Sequence, residues 1–160
     1  MRNLRGVCRA VSAEKMIRFL LALAVSAACF LCFSAANAVK LPIDGDRRFY
    51  LYSASSQAVV RARLSLGELP FLKGESVTVQ TDYEKSVQDR IFSAREEVEQ
   101  RGGVIVLEEC AGGVYSLYCY LPEDFGLYDG IFVDGNLVNL HIAISKTRTA
   151  VGSPIIFGGY

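Results

Sequence analysis

Residues 81–121 read TDYEKSVQDRIFSAREEVEQRGGVIVLEECAGGVYSLYCYL, and this stretch carries the clearest structural pattern in the chain. Thr81 and Glu84 are spaced as a capping box, in which two side chains satisfy free backbone amides at the start of a helix. Gly102 or Gly103 is expected to end the helix in a left-handed conformation. Between these points, apolar residues recur every three or four positions and predict a helix over residues 82–101 with one buried stripe: Tyr83, Val87, Ile91, Ala94 and Val98. The charged residues, Arg90 among them, are expected on the solvated sides.

The sequence after this helix predicts β-structure. Residues 104–107 and 114–121 flank Gly112-Gly113 and predict an antiparallel hairpin. Short apolar or alternating runs predict further strands at residues 49–52, 60–66, 76–80, 131–133, 137–145 and 151–157. One long helix and several strands with one wet face predict an α+β fold. We expect a two-layer sandwich, with a mostly antiparallel sheet and the long helix packed on one face.

The N-terminal region has the features of an export signal. Residues 19–33 (FLLALAVSAACFLCF) carry no charge, Lys15 and Arg18 precede them, and Ala36-Asn37-Ala38 fits a signal-peptidase site that cuts after Ala38. The uncharged run continues through residues 19–39, which is long enough to span a bilayer, so a retained membrane tether is the alternative. Both alternatives place the remainder of the chain outside the cytoplasm. The expected organisation is a signal peptide or retained anchor at 1–38, a linker at 39–48 and a single α+β domain at 49–160.

Composition and charge narrow the range of partners. The 160 residues contain 17 Lys or Arg and 17 Asp or Glu, but residues 1–38 have five basic side chains against one acidic one. The remainder is therefore acidic, which argues against a nucleic-acid-binding surface, because such surfaces need clustered Lys and Arg. Hydrophobic residues make up 51% of the chain, so a folded domain is expected.

Catalytic and metal-binding patterns are missing from the sequence. His141 is the only histidine, and the chain has no G-x-S-x-G elbow, no H-E-x-x-H motif and no pair of C-x-x-C motifs. We therefore assign no catalytic residue, no metal and no cofactor. The alternative is a small extracytoplasmic hydrolase that uses His141 with a serine.

Two cysteines, Cys110 and Cys119, lie in the region after the presequence. A two-residue turn at Gly112-Gly113 would place Cys110 opposite Tyr115 and Cys119 opposite Val106. The two cysteines would then be separated by roughly 13 Å along the strands. That distance exceeds the reach of a disulfide, so we expect two buried free thiols unless the loop is longer.

The face of the sheet opposite the helix is the predicted partner surface. On the strand at 137–145, Val138, Leu140, Ile142 and Ile144 form the apolar side, and Asn139, His141, Ala143 and Ser145 lie opposite. Tyr118 and Tyr120 share one face of their own strand. We hypothesise that Asn139 and His141, with Tyr118 or Tyr120, line a ligand or partner surface. The alternative is that a second layer covers this face.

The C-terminal third resembles a known family. Residues 139–144 (NLHIAI), a short polar turn, residues 151–156 (VGSPII) and the terminal Tyr160 are similar to the ending of the YwmB family. That family comprises exported Gram-positive bacterial proteins whose fold resembles that of the TATA-box-binding protein. The similarity covers about residues 75–160, and this chain is shorter, with a single α/β unit. The resemblance implies an envelope setting and supplies no established activity. Together with the missing catalytic motifs, it leads us to expect an exported, non-enzymatic domain that binds an envelope protein or cell-wall component. It implies no catalytic residues.

Overall fold

The computed structural model describes residues 13–36, 38–51, 58–81 and 85–157. The chain divides into two compact units at the boundary between Ala36 and Asn37. The first contains helix α1 (Ala13–Ala36), and within it Lys15–Phe33 is long and apolar enough to cross a membrane. The expected apolar N-terminal helix is confirmed. Its cleavage and the export of the chain stay predictions.

The second unit is built on an antiparallel sheet of seven strands. The strands of this unit are β1 (Asp46–Leu51), β2 (Val59–Arg61), β3 (Leu72–Gln80), β4 (Val104–Ala111), β5 (Val114–Tyr120), β6 (Ile131–Val133), β7 (Asn136–Val138), β8 (Leu140–Ile144) and β9 (Arg148–Ser153). The order in the large sheet is β2-β1-β3-β9-β8-β5-β4, and β6 and β7 form a separate two-stranded hairpin. Short 3₁₀ turns at Leu66–Phe71 and Glu123–Phe125 connect some of these strands.

Helix α2 (Val87–Gln100) is the long helix predicted for this domain, and it starts later than expected. The Ser86 side chain accepts a hydrogen bond from the Asp89 N–H at 3.1 Å, and the Asp89 carboxylate accepts one from the Ser86 N–H at 3.2 Å. This pair is the capping box, so the predicted start at Thr81 is wrong. Residues 82–84, including Tyr83 of the predicted stripe, lie outside the described residues.

The hydrophobic core lies between α2 and one face of the large sheet. Ile91 and Val98 of the predicted stripe are buried there, and Val87 and Ala94 are partly buried against it. The facing strand residues that join this core alternate along β3, β5 and β8: Val77, Leu117, Cys119, Leu140, Ile142 and Ile144. Because strand side chains alternate between faces, this packing leaves the other face of the sheet to different residues. The α+β fold with a helix on one face is confirmed.

Other boundaries also differ from the expectation: the strand predicted at 60–66 is β2, which ends at Arg61. The segment 39–48, expected as a linker, belongs to the domain, since Leu41 is only 3% exposed within the core and β1 begins at Asp46. The strand expected at 151–157 instead ends at Ser153, where Pro154 follows. Proline lacks the N–H that a strand donates to its neighbour, so the chain leaves the sheet there.

Arg90 also departs from the expectation, because this charged residue of α2 is buried. Its Nη1 donates to Thr81 Oγ1 at 3.1 Å and to Thr149 Oγ1 at 3.0 Å, and its Nη2 donates to the Ser145 carbonyl at 2.7 Å. The predicted solvated position of Arg90 is wrong. The guanidinium group joins the helix to the end of β3 and to the turn between β8 and β9.

Candidate functional site

His141 lies on the sheet face opposite α2, as the strand pattern predicts, but it is not open to solvent. The residue is 2% exposed, and in the sheet it lies opposite Gly152 of β9 on one side and Tyr118 of β5 on the other. The imidazole stacks on the Tyr118 ring with centroids 4.2 Å apart. The Ile156 N–H donates to His141 Nδ1 at 3.3 Å. The segment after Ser153 therefore reaches this part of the face, and the expected exposure of His141 is wrong.

The chemistry of His141 follows from this environment. Burial lowers its pKa to about 4, so the ring is neutral at pH 7. A neutral imidazole has one acceptor nitrogen, and here Nδ1 accepts the Ile156 N–H, which places the proton on Nε2. A general base needs an unengaged acceptor nitrogen aimed at the substrate. His141 in this state does not present one.

Asn139 has a structural role at the break between β7 and β8. It is 6% exposed, its Nδ2 donates to the Leu121 carbonyl at 2.7 Å, and its Oδ1 accepts the Leu121 N–H at 2.8 Å. The side-chain amide thus pairs with the backbone N–H and carbonyl of Leu121, just after β5, as a neighbouring strand would. The expectation that Asn139 lies on an open surface is wrong.

The tyrosines of β5 are half-buried and do not gather into one surface with these residues. Tyr118 donates through its hydroxyl to Glu109 Oε1 at 2.7 Å, and Tyr120 pairs with Val104 of β4. Among the described residues, Asn139 and Tyr120 make no side-chain hydrogen bond or ring contact to the Tyr118–His141 pair. Of the four predicted residues, the structure brings together only Tyr118 and His141.

An open concavity does exist on this face, displaced from His141 towards β1 and β3. We call it the polar groove. Its volume is about 90 Å³, and its lining residues are Asp46, Arg48, Tyr50, Ser76, Thr78, Gln80, Val114, Ala143, Ser145, Arg148, Ala150, Ile156 and Phe157. Ala143 and Ser145, which the strand pattern placed on this face, do line it. The Tyr50 and Phe157 rings meet edge to face with centroids 5.1 Å apart.

The charges of the polar groove are mainly positive. Arg48 Nη2 lies 3.5 Å from Asp46 Oδ2. Within the described ranges, the Arg148 guanidinium has no carboxylate at ion-pair distance. Two arginines against one aspartate leave a positive balance, which favours a ligand with an acidic group.

A second concavity, which we call the apolar pocket, lies on the helix side of the sheet. Its volume is about 360 Å³, and it is lined by Lys40, Leu41, Pro42, Ile43, Glu97, Val98, Arg101, Leu121, Phe125, Leu127, Leu140, Ile142 and Val151. The sequence pattern does not predict this pocket, because residues 39–48 are mostly polar and resemble a linker. The signal that could have revealed it is the apolar run Leu41-Pro42-Ile43 inside that polar segment.

The wall of the apolar pocket is held in place by a buried carboxylate. Glu75 on β3 is fully buried, and its Oε1 accepts the N–H groups of Lys40 and Leu41, the latter at 2.6 Å. Its Oε2 lies 2.5 Å from Arg47 Nη1, while Arg47 Nη2 donates to the carbonyls of Leu41 and Ile43 at 2.9 Å each. This network attaches residues 40–43 to the sheet.

The two cysteines of the domain lie in different environments. Cys110 lies opposite Tyr115, as predicted, but it is exposed, so its expected burial is wrong. Cys119 is buried as expected, but it lies opposite Ile105 and not Val106. The difference arises from a bulge between Ile105 and Leu107 that shifts the register. Burial raises the pKa of the Cys119 thiol to about 12, which keeps it protonated. In the described part of the chain, no cluster of three or more His, Cys, Asp or Glu is arranged to hold a metal ion.

Comparison of the chain with protein-family models, curated proteins and solved structures finds no match. The likeness to the YwmB family therefore stays a proposal.

Proposed function

We propose that this chain is an exported or membrane-anchored YwmB-like domain that binds an acidic group of an envelope protein or cell-wall component and does not act as an enzyme. The observation that carries the binding role is the polar groove. It opens on the sheet face that α2 leaves free, and its lining includes Arg48 and Arg148. Arginine presents several donors in a planar arrangement that matches carboxylate and phosphate oxygens.

The extracytoplasmic setting is supported by the N-terminal helix. Lys15–Phe33 has the length and composition of a membrane span, and the five basic residues of the presequence lie at or before Arg18. Basic residues on one side of an apolar segment favour the cytoplasm for that side. The domain after Ala36 is then delivered to the outer side, whether or not the segment is cleaved.

The state of His141 weighs against the alternative hydrolase. A hydrolase of that kind would need this imidazole to take a proton from a serine in an accessible site. The ring is buried, its pKa is lowered to about 4, and its Nδ1 already accepts the Ile156 N–H. We therefore favour a binding role over catalysis.

The location is tested with the native Cys110, because its thiol is exposed. Intact cells that produce the full chain are treated with a membrane-impermeant maleimide, and modified peptides are mapped by mass spectrometry. We expect modification at Cys110 before lysis and none in the Cys110→Ser control. Modification of Cys110 only after lysis would contradict an extracytoplasmic location.

The binding role is tested by photo-crosslinking from the polar groove. A benzoylphenylalanine replaces exposed Gln80 in the groove, or exposed Arg63, which lies outside it, as the matched control. We expect the probe at position 80 to crosslink to an envelope component in intact cells. We also expect Arg148→Gln to lower that yield while Arg63→Gln does not. Equal crosslinking from both positions would contradict the proposal.

A further inference from the structure

The apolar pocket has the size and lining of a small-ligand site. Ten of its thirteen lining residues are apolar, including Leu140 and Ile142 at its floor and Leu41 in its wall. Its volume of about 360 Å³ lies at the lower end of the range of roughly 300–1,000 Å³ that is usual for such sites. A pocket of this size suits one apolar chain and is too small for the two chains of a phospholipid.

The charged lining residues of the pocket are Lys40, Glu97 and Arg101, and none of them is buried. Glu97 and Arg101 are exposed and form an ion pair with a closest contact of 2.5 Å, so their charges largely cancel. The Lys40 ammonium lies 5.6 Å from the centroid of the Tyr128 ring. No carboxylate of the described residues is at ion-pair distance from that ammonium. The mouth of the pocket therefore has a positive balance that comes from Lys40.

The pocket is formed before any ligand arrives. Hydrogen bonds from Arg47 to the carbonyls of Leu41 and Ile43, and from the Leu41 N–H to Glu75, hold its outer wall. Its floor is part of the core beside α2 and β8. A preformed apolar site binds without the entropic cost of ordering its walls.

We propose that the apolar pocket binds a long-chain fatty acid, with the acyl chain against Leu140 and Ile142 and the carboxylate beside Lys40. The apolar interior excludes sugars and nucleotides, whose polar groups would lose their hydrogen bonds there. The positive mouth favours an anionic head over a neutral one. This inference rests on the proposed function for the envelope setting alone. It does not depend on the polar groove, because the apolar pocket lies on the opposite face of the sheet.

The experiment uses the full chain in phosphatidylcholine vesicles with a diazirine-bearing palmitate. After irradiation, mass spectrometry maps the labelled residues. Label in residues 15–33 reports the probe dissolved in the bilayer, and label in residues 40–43 and 121–127 reports occupation of the pocket. We expect pocket label that excess palmitate removes and that an equal concentration of hexadecanol, which has the same chain without the charge, removes less.

Two matched pairs of variants separate the pocket from general partition into the membrane. Ile43→Trp fills the pocket and should abolish its label, whereas Val104→Trp, at an exposed site outside it, should not. Lys40→Gln should lower pocket label about fivefold, in line with the loss of one exposed ion pair, and Lys73→Gln should not. The Lys40 variant alters only the mouth, so it keeps the test valid if Ile43→Trp prevents folding.

The fatty-acid proposal is overturned if label is confined to residues 15–33. It is also overturned if Lys40→Gln and Lys73→Gln label equally, or if hexadecanol competes as well as palmitate. These outcomes would leave the accessibility of Cys110 and crosslinking from Gln80 unchanged. Failure of the fatty-acid site is therefore distinguishable from failure of the proposed binding function.

Discussion

Glu75 Oε2 lies 2.5 Å from Arg47 Nη1, and the other oxygen of this fully buried carboxylate accepts the N–H groups of Lys40 and Leu41. Arg47 is partly exposed, so the ion pair joins the interior of the sheet to its surface. Each charge is stable in this position because the other groups compensate for its lost hydration. The pair explains why residues 40–43 form part of the domain and a wall of the apolar pocket.

Replacing Glu75 should therefore destabilise the domain strongly. We expect Glu75→Ala to lower the free energy of unfolding by about 3–5 kcal/mol, because it leaves the Arg47 charge and two backbone N–H groups without their partner. Urea titration followed by tyrosine fluorescence measures the change, since the chain has no tryptophan. Glu99→Ala, on the exposed side of α2, is the control and should change stability by less than about 0.5 kcal/mol. Equal effects of the two substitutions would contradict this role.

Arg90 should stabilise the domain through its hydrogen bonds and not through its charge alone. Its Nη1 and Nη2 reach Thr81, Thr149 and the Ser145 carbonyl, which a lysine cannot bridge together. We expect both Arg90→Met and Arg90→Lys to lower the free energy of unfolding by about 2 kcal/mol or more. Arg95→Lys, at a half-exposed position on the same helix, is the control. Full rescue by Arg90→Lys would show that the network is not needed.

His141 should make the domain less stable as the pH falls from 7 to 4. Burial lowers the folded pKa of His141 from the usual 6.5 to about 4. Between these pH values His141 is therefore protonated in the unfolded chain and neutral in the folded one, so a lower pH favours unfolding. The contribution of this group to stability should fall by ~2 kcal/mol between pH 7 and pH 5. His141→Phe should remove that part of the pH dependence, and Tyr118→Phe should retain it. The measurement is urea unfolding at both pH values, and equal slopes for all three proteins would contradict the expectation.

Tyr128 should report whether residues 1–38 are removed. Its hydroxyl donates to the Ala38 carbonyl, and burial raises its pKa. In the uncleaved chain, Tyr128→Phe should lower the free energy of unfolding by about 1 kcal/mol. A chain that begins at Val39 lacks this carbonyl, so the same substitution should have little effect there. Tyr120→Phe is the control, and an identical loss in both forms would contradict this dependence on Ala38.

Local patterns predicted several elements correctly because neighbouring residues suffice to specify them. Gly112-Gly113 forms the hairpin turn, with Cys110 opposite Tyr115 and positive φ at both glycines. The alternation at 138–144 places Leu140, Ile142 and Ile144 in the core. Turn chemistry and the two-residue period of a strand do not depend on distant parts of the chain.

The start of α2 shows where local rules are insufficient. Thr81–Glu84 and Ser86–Asp89 both have the spacing of a capping box, but only the second begins the helix. Thr81 instead extends β3, since its N–H donates to the Thr147 carbonyl at 2.9 Å and its hydroxyl accepts from Arg90. These partners lie far away or on another element, so only the assembled sheet selects between the two boxes.

Sequence patterns were enough for the apolar N-terminal helix, the α+β class and the sides on which the strand residues lie, because each depends on composition and short-range periodicity. Tertiary packing decided which residues are exposed and where the cavities lie. It buried Asn139 and His141 and drew residues 40–43 onto the sheet through Glu75. It also produced the polar groove and the apolar pocket from residues distant in sequence. The exposure of a side chain depends on which distant segment packs over it, and no local pattern contains that information.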